Sequence, residues 1–498
     1  MTQTPAVATG PNRREARPGG RGPDGRRIAW LAAVAAAFVC AQLVLVVPGS
    51  GLGWDETVYV SQVSSHAPAA FFSAPRARGI TFLIAPVTAL TSSVDALRVY
   101  LAVLSGAGLF VSLWVWRRLA PLSVLALAGA LFASLWITLY YGPQAMPNLW
   151  VAYGAMIAVG CFLRAARDVR DRRALLGLGA GVALAALMRP TDAFWLAAPL
   201  AAAALTVRSW RRPALLLALA AGVVLGCAEW VIEAYVRYDG LLARLHRGSE
   251  IQGRLGWNLA FDDQIRALQG RSLCRPCDVP WRNPVTAAWW FALPLFVAGG
   301  VMAAARARAL GAILLPTLVG LSLAFPYLLL IGYAAPRFLL PAYALLALPT
   351  ALCLTWLARA ARWRPVVVAA LALALVAHQA VQYAVLAGAT ARSRDVRVAF
   401  AQAAAELNGQ GVRPPCVVSG SEAIRIAFLA GCASRQTVGH DAGITPAGLT
   451  AIARVRPVAV LVSGDGAPPA YARGWRLHPM PGLPGRPEVR AYLSPLAR

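Results

Sequence analysis

The chain has 498 residues, 58% of them apolar and 14% charged, with a mean hydropathy of +0.58. Soluble domains are nearer about 45–50% apolar and about 25% charged, so this is not an ordinary soluble globule, and its long apolar blocks exclude a disordered or fibrous chain. The formal net charge is +26 and there is no lysine, so all 47 basic residues are arginine; that balance suits nucleic acid unless the arginines are placed for another reason.

A Pro/Gly/Arg-rich leader over 1–27 reads as disordered. Eleven apolar blocks follow, near 28–48, 98–116, 121–141, 149–163, 174–188, 193–207, 214–234, 286–304, 309–331, 338–357 and 366–387. Runs of about 20 apolar residues span a bilayer as helices, and the fourth to sixth are short for a straight span. The leader and five connections between blocks hold 21 of the 47 arginines, among them Arg117, Arg118, Arg164, Arg167, Arg208 and Arg212. These segments fall on alternate sides of the blocks, and the positive-inside rule makes them cytoplasmic. The charge is therefore a topology signal, and nucleic acid is not an expected partner. The amino terminus is expected in the cytoplasm and the carboxyl terminus outside. No small-x-small cleavage pattern follows the first block, which predicts a retained anchor.

Three segments outside the bilayer are long enough to carry function: loops over 49–97 and 235–285, and the tail from 388. Within the first loop, Gly79 to Thr91 is either an interfacial helix or a packed loop. The tail becomes soluble-like. It predicts a helix over 394–408, a strand at Cys416–Ser419, a helix over Glu422–Ala430, a helix opened by Thr445-Pro446, and a strand at Val458–Ser463. Strands alternating with helices predict a small α/β domain over 388–498, outside a transmembrane domain over 28–387.

Polar groups near membrane depth are expensive and point to function. Asp55 and Glu56 sit just beyond the first block, between Trp54 and Tyr59. They are either solvated charges or acids held at the interface by the two aromatics, where a carboxylate acts as base towards a hydroxyl. Arg76, Arg78, Arg189 and Arg337 lie on the same predicted side, against the positive-inside bias. Arginine's fork of donors suits a lipid phosphate; the ordinary alternative is snorkelling or pairing with a nearby acid, Arg189 with Asp192 for instance. Cys274-Arg275-Pro276-Cys277 has the spacing of a redox motif, half a zinc site or a local disulfide, and the last is expected. Cys416 and Cys432 flank a predicted strand and helix and form a second candidate disulfide. The five histidines form no metal-like cluster, and His378-Gln379 is expected to pack or hydrogen-bond between helices. No cofactor or metal is indicated, although a divalent cation is left open.

Several of these segments resemble the GT-C superfamily of polyprenyl-phosphate-sugar-dependent glycosyltransferases, in the branch of protein O-mannosyltransferases and the lipid A aminoarabinose transferase. The similarity rests on Asp55-Glu56-Thr57-Val58-Tyr59, Asp95-Ala96-Leu97-Arg98, Tyr141 to Asn148, Arg189-Pro190-Thr191 and Pro336-Arg337-Phe338-Leu339-Leu340-Pro341. Where many members carry a His-Pro-Pro-like segment, this chain reads Pro75-Arg76-Ala77-Arg78-Gly79. The resemblance implies an all-α polytopic fold with a soluble outer domain, and an inverting hexosyl- or pentosyltransferase of the cell envelope. It makes Asp55 and Glu56 the catalytic pair, and Tyr59, Arg76, Arg78, Arg189, Tyr333 and Arg337 the substrate-binding set. The implied partners are the bilayer, a polyprenyl-phosphate-linked sugar and an acceptor that is a glycan, lipid, protein or small metabolite. A transporter or flippase without transferase activity explains the spans equally, but predicts inverted repeats that the sequence does not display. A non-catalytic scaffold is the third reading, in which both acids are dispensable.

Overall fold

The computed structural model describes residues 23–360 and 362–497. The predicted leader lies outside them except for its last five residues, which open the first helix. Every apolar block contains a helix, and the membrane part is a helical bundle. The first helix, α1 (Pro23–Ala41), runs on through a π turn to Val46. Two short helices, α2 (Trp54–Ser61) and α3 (Gly79–Thr88), occupy the first predicted loop, so the apolar stretch after Gly79 is helical. Next come α4 (Val94–Val115), α5 (Leu122–Ala133), α6 (Trp136–Tyr141), α7 (Asn148–Arg167), α8 (Arg172–Met188), α9 (Pro190–Thr206) and α10 (Pro213–Arg237). The second predicted loop holds α11 (Leu241–Ile251) and α12 (Phe261–Ala267). The bundle is completed by α13 (Ala288–Arg306), α14 (Leu310–Leu329), α15 (Leu340–Ala360) and α16 (Arg364–Gly409).

Among the described residues eight helices are long and apolar enough to cross a membrane, which makes this a multi-pass membrane protein. The predicted spans that became α5, α8 and α9 are shorter, at 12, 17 and 17 residues. The third block is broken rather than continuous, because Leu135 turns extended before α6. Backbone groups freed inside a bundle need partners. Here Gln382 of α16 accepts from the Trp136 N–H at 2.9 Å, while Gln379 donates to the Ser134 hydroxyl at 2.8 Å. The neighbouring His378 packs edge-on against Trp289, as expected of that dipeptide. The fourth block, expected to be short, is the full 20-residue α7.

Lipid tails are as apolar as leucine, so membrane helices associate through close contact over small residues. The α7–α8 crossing shows it: a Cβ added to Gly154 or to Gly181 would lie 2.7 Å from the other glycine's carbonyl oxygen. The central helices α7 and α15 are mostly buried, whereas α16 stands at the rim. At about 1.5 Å per residue, its 46 residues extend roughly 69 Å. The separate helix predicted over 394–408 is therefore the far end of α16. Gly388 alone costs about 1 kcal/mol in a helix interior and does not stop one.

Beyond α16 the chain forms β1 (Val417–Gly420), α17 (Ala423–Ala430), β2 (Ala433–Ser434), α18 (Pro446–Ala453), β3 (Val458–Ser463), β4 (Arg476–Pro479) and β5 (Val489–Leu493). The sheet order is β2-β1-β3-β5-β4, parallel among the first three and antiparallel at β5 and β4. Alternate side chains go to opposite faces. Val418, Ala459 and Leu461 join α17 and the end of α16, while Val417, Val458 and Val460 join α18. Thr445 caps α18 by accepting from the Gly448 N–H at 3.1 Å.

Both predicted disulfides, Cys274–Cys277 and Cys416–Cys432, are formed. Closing the loop between Cys416 and Cys432, 16 positions apart, is worth about 3 kcal/mol. Replacing Cys416 and Cys432 together by alanine is expected to lower the thermal midpoint of the α/β domain and expose it to protease, with the helical circular dichroism of the bundle unchanged.

Candidate active site

Asp55 and Glu56 fall in the first turn of α2, where negative charge is favoured by the helix dipole. One helical position separates their roles. Glu56 is buried, with every oxygen engaged: Oε2 accepts from the Gly53 N–H at 2.9 Å and from Arg98 at 2.8 Å, and Oε1 from the Ala145 N–H at 2.7 Å. Arg98, 1% exposed, also reaches the carbonyls of Gly51 and Pro143 at 2.6 and 2.9 Å. The Glu56–Arg98 pair thus fastens α2 to α4 and to the 143–145 turn. Asp55, by contrast, faces a cavity.

Asp55 Oδ1 accepts from Arg76 at 2.9 Å and Oδ2 from Arg337 at 3.0 Å. Its carboxyl is surrounded by protein yet keeps 36% of its side-chain surface open to the cavity. Burial pushes the carboxyl pKa up, but the charges of Arg76, Arg337 and Arg189 outweigh that and hold it below the ordinary carboxylate value. Arg337 comes from the turn before α15 and is itself steadied by the Ser272 carbonyl at 2.8 Å. That carbonyl is positioned by the 274–277 disulfide loop, whose Cys274 exchanges backbone hydrogen bonds with Ala334 at 2.8 and 3.2 Å. Arg76 also bonds Ser73 at 3.0 Å and lies over the Tyr59 ring.

The structure brings Asp55, Tyr59, Arg76, Arg189 and Arg337 together. Arg189 pairs with Asp192 at 3.2 Å and lies against Tyr327 and Phe338, close enough for its charge to act on Asp55. Tyr333 packs edge-on to Phe338 beneath the Arg275 guanidinium. Arg78 is turned away: it binds Glu233 at 2.6 and 3.1 Å, lies 3.4 Å from Glu229, and stacks on Phe72. Its guanidinium, like the Glu56 carboxylate, is engaged by protein partners rather than facing Asp55.

Glu233 and Arg244 are the residues the sequence reading missed. Arg244 is fully buried and binds Glu233 at 2.9 Å together with the carbonyls of Ala74, Arg76 and Trp230 at 3.1, 3.0 and 2.6 Å. This cluster shapes the loop that presents Arg76. A signal was available, since Glu229 and Glu233 are the acids of an otherwise apolar helix.

The cavity in front of Asp55 has a volume of about 750 Å³. Its wall includes Arg271, Arg282, Arg392, Arg425 and Arg486 beside Arg337, a cationic lining suited to an anionic ligand. A second, apolar cavity of about 520 Å³ lies among α5, α13, α15 and α16. The two come close along the chain, Asn283 lining the first and Val285 the second. Among the described residues no three His, Cys, Asp or Glu side chains converge into a metal-ligating group.

An apolar helical bundle carrying a small α/β domain at one end is a fold that this chain shares with solved structures at low sequence identity. It is shared with ArnT from Cupriavidus metallidurans bound to undecaprenyl phosphate, at a TM-score of 0.67 and 13% identity over 94% of this chain and 99% of that one. The apo state of the same protein gives 0.64 at 12% identity, over 95% and 98%. The oligosaccharyltransferase of Archaeoglobus fulgidus tethered with an acceptor peptide gives 0.50 at 14% identity, over 87% of this chain and 69% of that one. No protein-family model and no curated protein matches the sequence.

Proposed function

We propose that the protein is an inverting glycosyltransferase that moves a sugar from a polyprenyl-phosphate donor to an acceptor hydroxyl at the extracytoplasmic face, with its amino terminus in the cytoplasm. The observation that carries this reading is the Asp55 carboxylate, held between Arg76 and Arg337 at the wall of an arginine-lined cavity. The kinship of fold with a protein seen bound to undecaprenyl phosphate supports the donor class. The isoprenoid chain of such a donor has an apolar seat in the cavity beside α13 and α16.

In this scheme the donor phosphate takes over donors of Arg76 and Arg337 that Asp55 otherwise occupies. Release from two guanidiniums makes Asp55 a stronger base at the moment the donor is in place. Asp55 takes the acceptor's hydroxyl proton, and that oxygen bonds the anomeric carbon from the face opposite the phosphate. The bond from that carbon to the phosphate oxygen breaks, with its electron pair leaving on the polyprenyl phosphate. This anion is a stable leaving group and needs no general acid; the arginines neutralise the charge that develops on it. Glu56 and Arg98 hold α2, and with it Asp55, in place. The direct test is release of polyprenyl phosphate from a labelled lipid-linked sugar by membranes containing the wild-type protein; no release from any sugar donor of this type refutes the proposal.

The arginine clamp also fixes the direction of a pH effect. The folded-state pKa of Asp55 is lowered by cations, so loss of one cation raises it. Arg76→Gln is expected to move the acidic limb of the kcat/KM–pH profile to higher pH, while Arg76→Lys, which keeps the charge, leaves the limb nearer its wild-type position.

A further inference from the structure

We propose that a separate cleft in the α/β domain binds the acceptor, and that the acceptor is a carbohydrate; this rests on the transferase reading above. In open α/β sheets ligands bind beyond the carboxyl ends of the strands, where successive connections leave in opposite directions. Here that point lies between β1 and β3. The chain leaves β1 through α17 on one face to reach β2, then returns through α18 on the other face to β3. A cleft of about 380 Å³ opens there, lined by Ser421 at the end of β1, Ser463 at the end of β3, the 438–441 loop, and Trp54 of α2. That volume is within the range of small-molecule sites.

The crevice is built rather than incidental. Gly420 has φ +92°, and a Cβ on it would sit 2.0 Å from the Leu461 carbonyl oxygen. Gln436 bonds both the N–H and the carbonyl of Gly420 at 3.0 Å, fixing the turn to the loop that carries Asp441. Glu422 is paired with Arg425 and Arg486 at 2.6 and 2.7 Å, and Arg486 also lines the cleft. The cleft offers two serine hydroxyls, the Asp441 carboxyl, the His440 imidazole, the Arg486 guanidinium and the Trp54 indole; among the described residues neither serine hydroxyl nor Asp441 has a side-chain hydrogen-bond partner. Donors and acceptors of both kinds around an aromatic plate fit a polyol whose ring lies on the indole.

The cleft adjoins the chemistry. Trp54 lines both this space and the larger cavity, and precedes Asp55 in the chain. Burial pushes the Asp441 carboxyl up, while Arg76 draws it down and Asp55 raises it further, so Asp441 lies within electrostatic reach of both. A sugar bound at the strand ends therefore presents a hydroxyl towards Asp55.

The test uses the full-length detergent-solubilised protein on an immobilised panel of di- to tetrasaccharides of mannose, galactose, glucose, arabinose and N-acetylglucosamine. Wild type is expected to retain at least one of them, and Asp441→Asn and Ser463→Ala each to weaken that binding about tenfold or more, the effect of losing a hydrogen bond to a ligand that is out of water. Thermal unfolding of each variant reports its fold, and if one fails to fold the other decides. No binding by wild type, or binding by the folded variants equal to wild type, overturns the proposal. Undecaprenyl phosphate binding by wild type, measured in parallel, reports on the donor reading independently.

Discussion

Asp55→Asn is expected to lower turnover by roughly 10²–10⁴, the usual contribution of a general base, with little change in thermal midpoint. The asparagine keeps the shape of the side chain but accepts no proton. The site around it tolerates the exchange, because the carboxyl is partly open and its arginines have other partners in Ser73 and the Ser272 carbonyl. Loss of the competing charge leaves Arg76 and Arg337 freer for phosphate. Undecaprenyl phosphate binding is therefore expected to be at least as tight as in wild type, giving a fall in kcat without a rise in donor Kd. Measured release of polyprenyl phosphate equal to wild type would remove Asp55 from the chemistry.

The neighbouring acid is expected to behave in the opposite way. Glu56→Gln leaves Arg98 buried without a countercharge and sets an amide N–H₂ against the N–H donors of Gly53 or Ala145. Breaking a buried pair by removing one member costs about 3–5 kcal/mol. The expected result is a marked fall in folded yield and midpoint, while the protein that does fold retains more activity than Asp55→Asn. A well-folded but inactive Glu56→Gln enzyme would show that this carboxylate takes part in the chemistry.

The bundle was legible because the bilayer imposes a length and a composition on each crossing, and α4, α7, α10, α13, α14 and α15 follow the blocks closely. The break before Trp136 was not, because its compensation comes from Gln379 and Gln382, more than 240 residues away. Asp55 and Arg337 stood out for being charged at the ends of apolar blocks, though nothing local says that they meet across 282 positions. Arg78 carried the same signal as Arg76; two positions apart, one points to Asp55 and the other to Glu233. That choice is made by Arg244, which threads the 74–76 carbonyls from a helix in another loop. In the α/β domain β3 is an apolar run up to Ser463, and β1 opens on Val417 and Val418 directly after Cys416. By contrast β2 is two residues long, β4 reads Arg-Leu-His-Pro and β5 is interrupted by Arg490, so the sheet context alone reveals them.

The unbroken course of α16 has a mechanical consequence. One rod, anchored at one end in the hydrocarbon layer, carries the α/β domain at the other like a mast, and it is stayed near the surface by Arg394 on the Pro48 carbonyl at 2.8 Å and Arg397 on Asp95 at 2.6 Å. Phe400, Ala403 and Leu407 of the rod belong to the core of the domain itself, so no free linker separates the two.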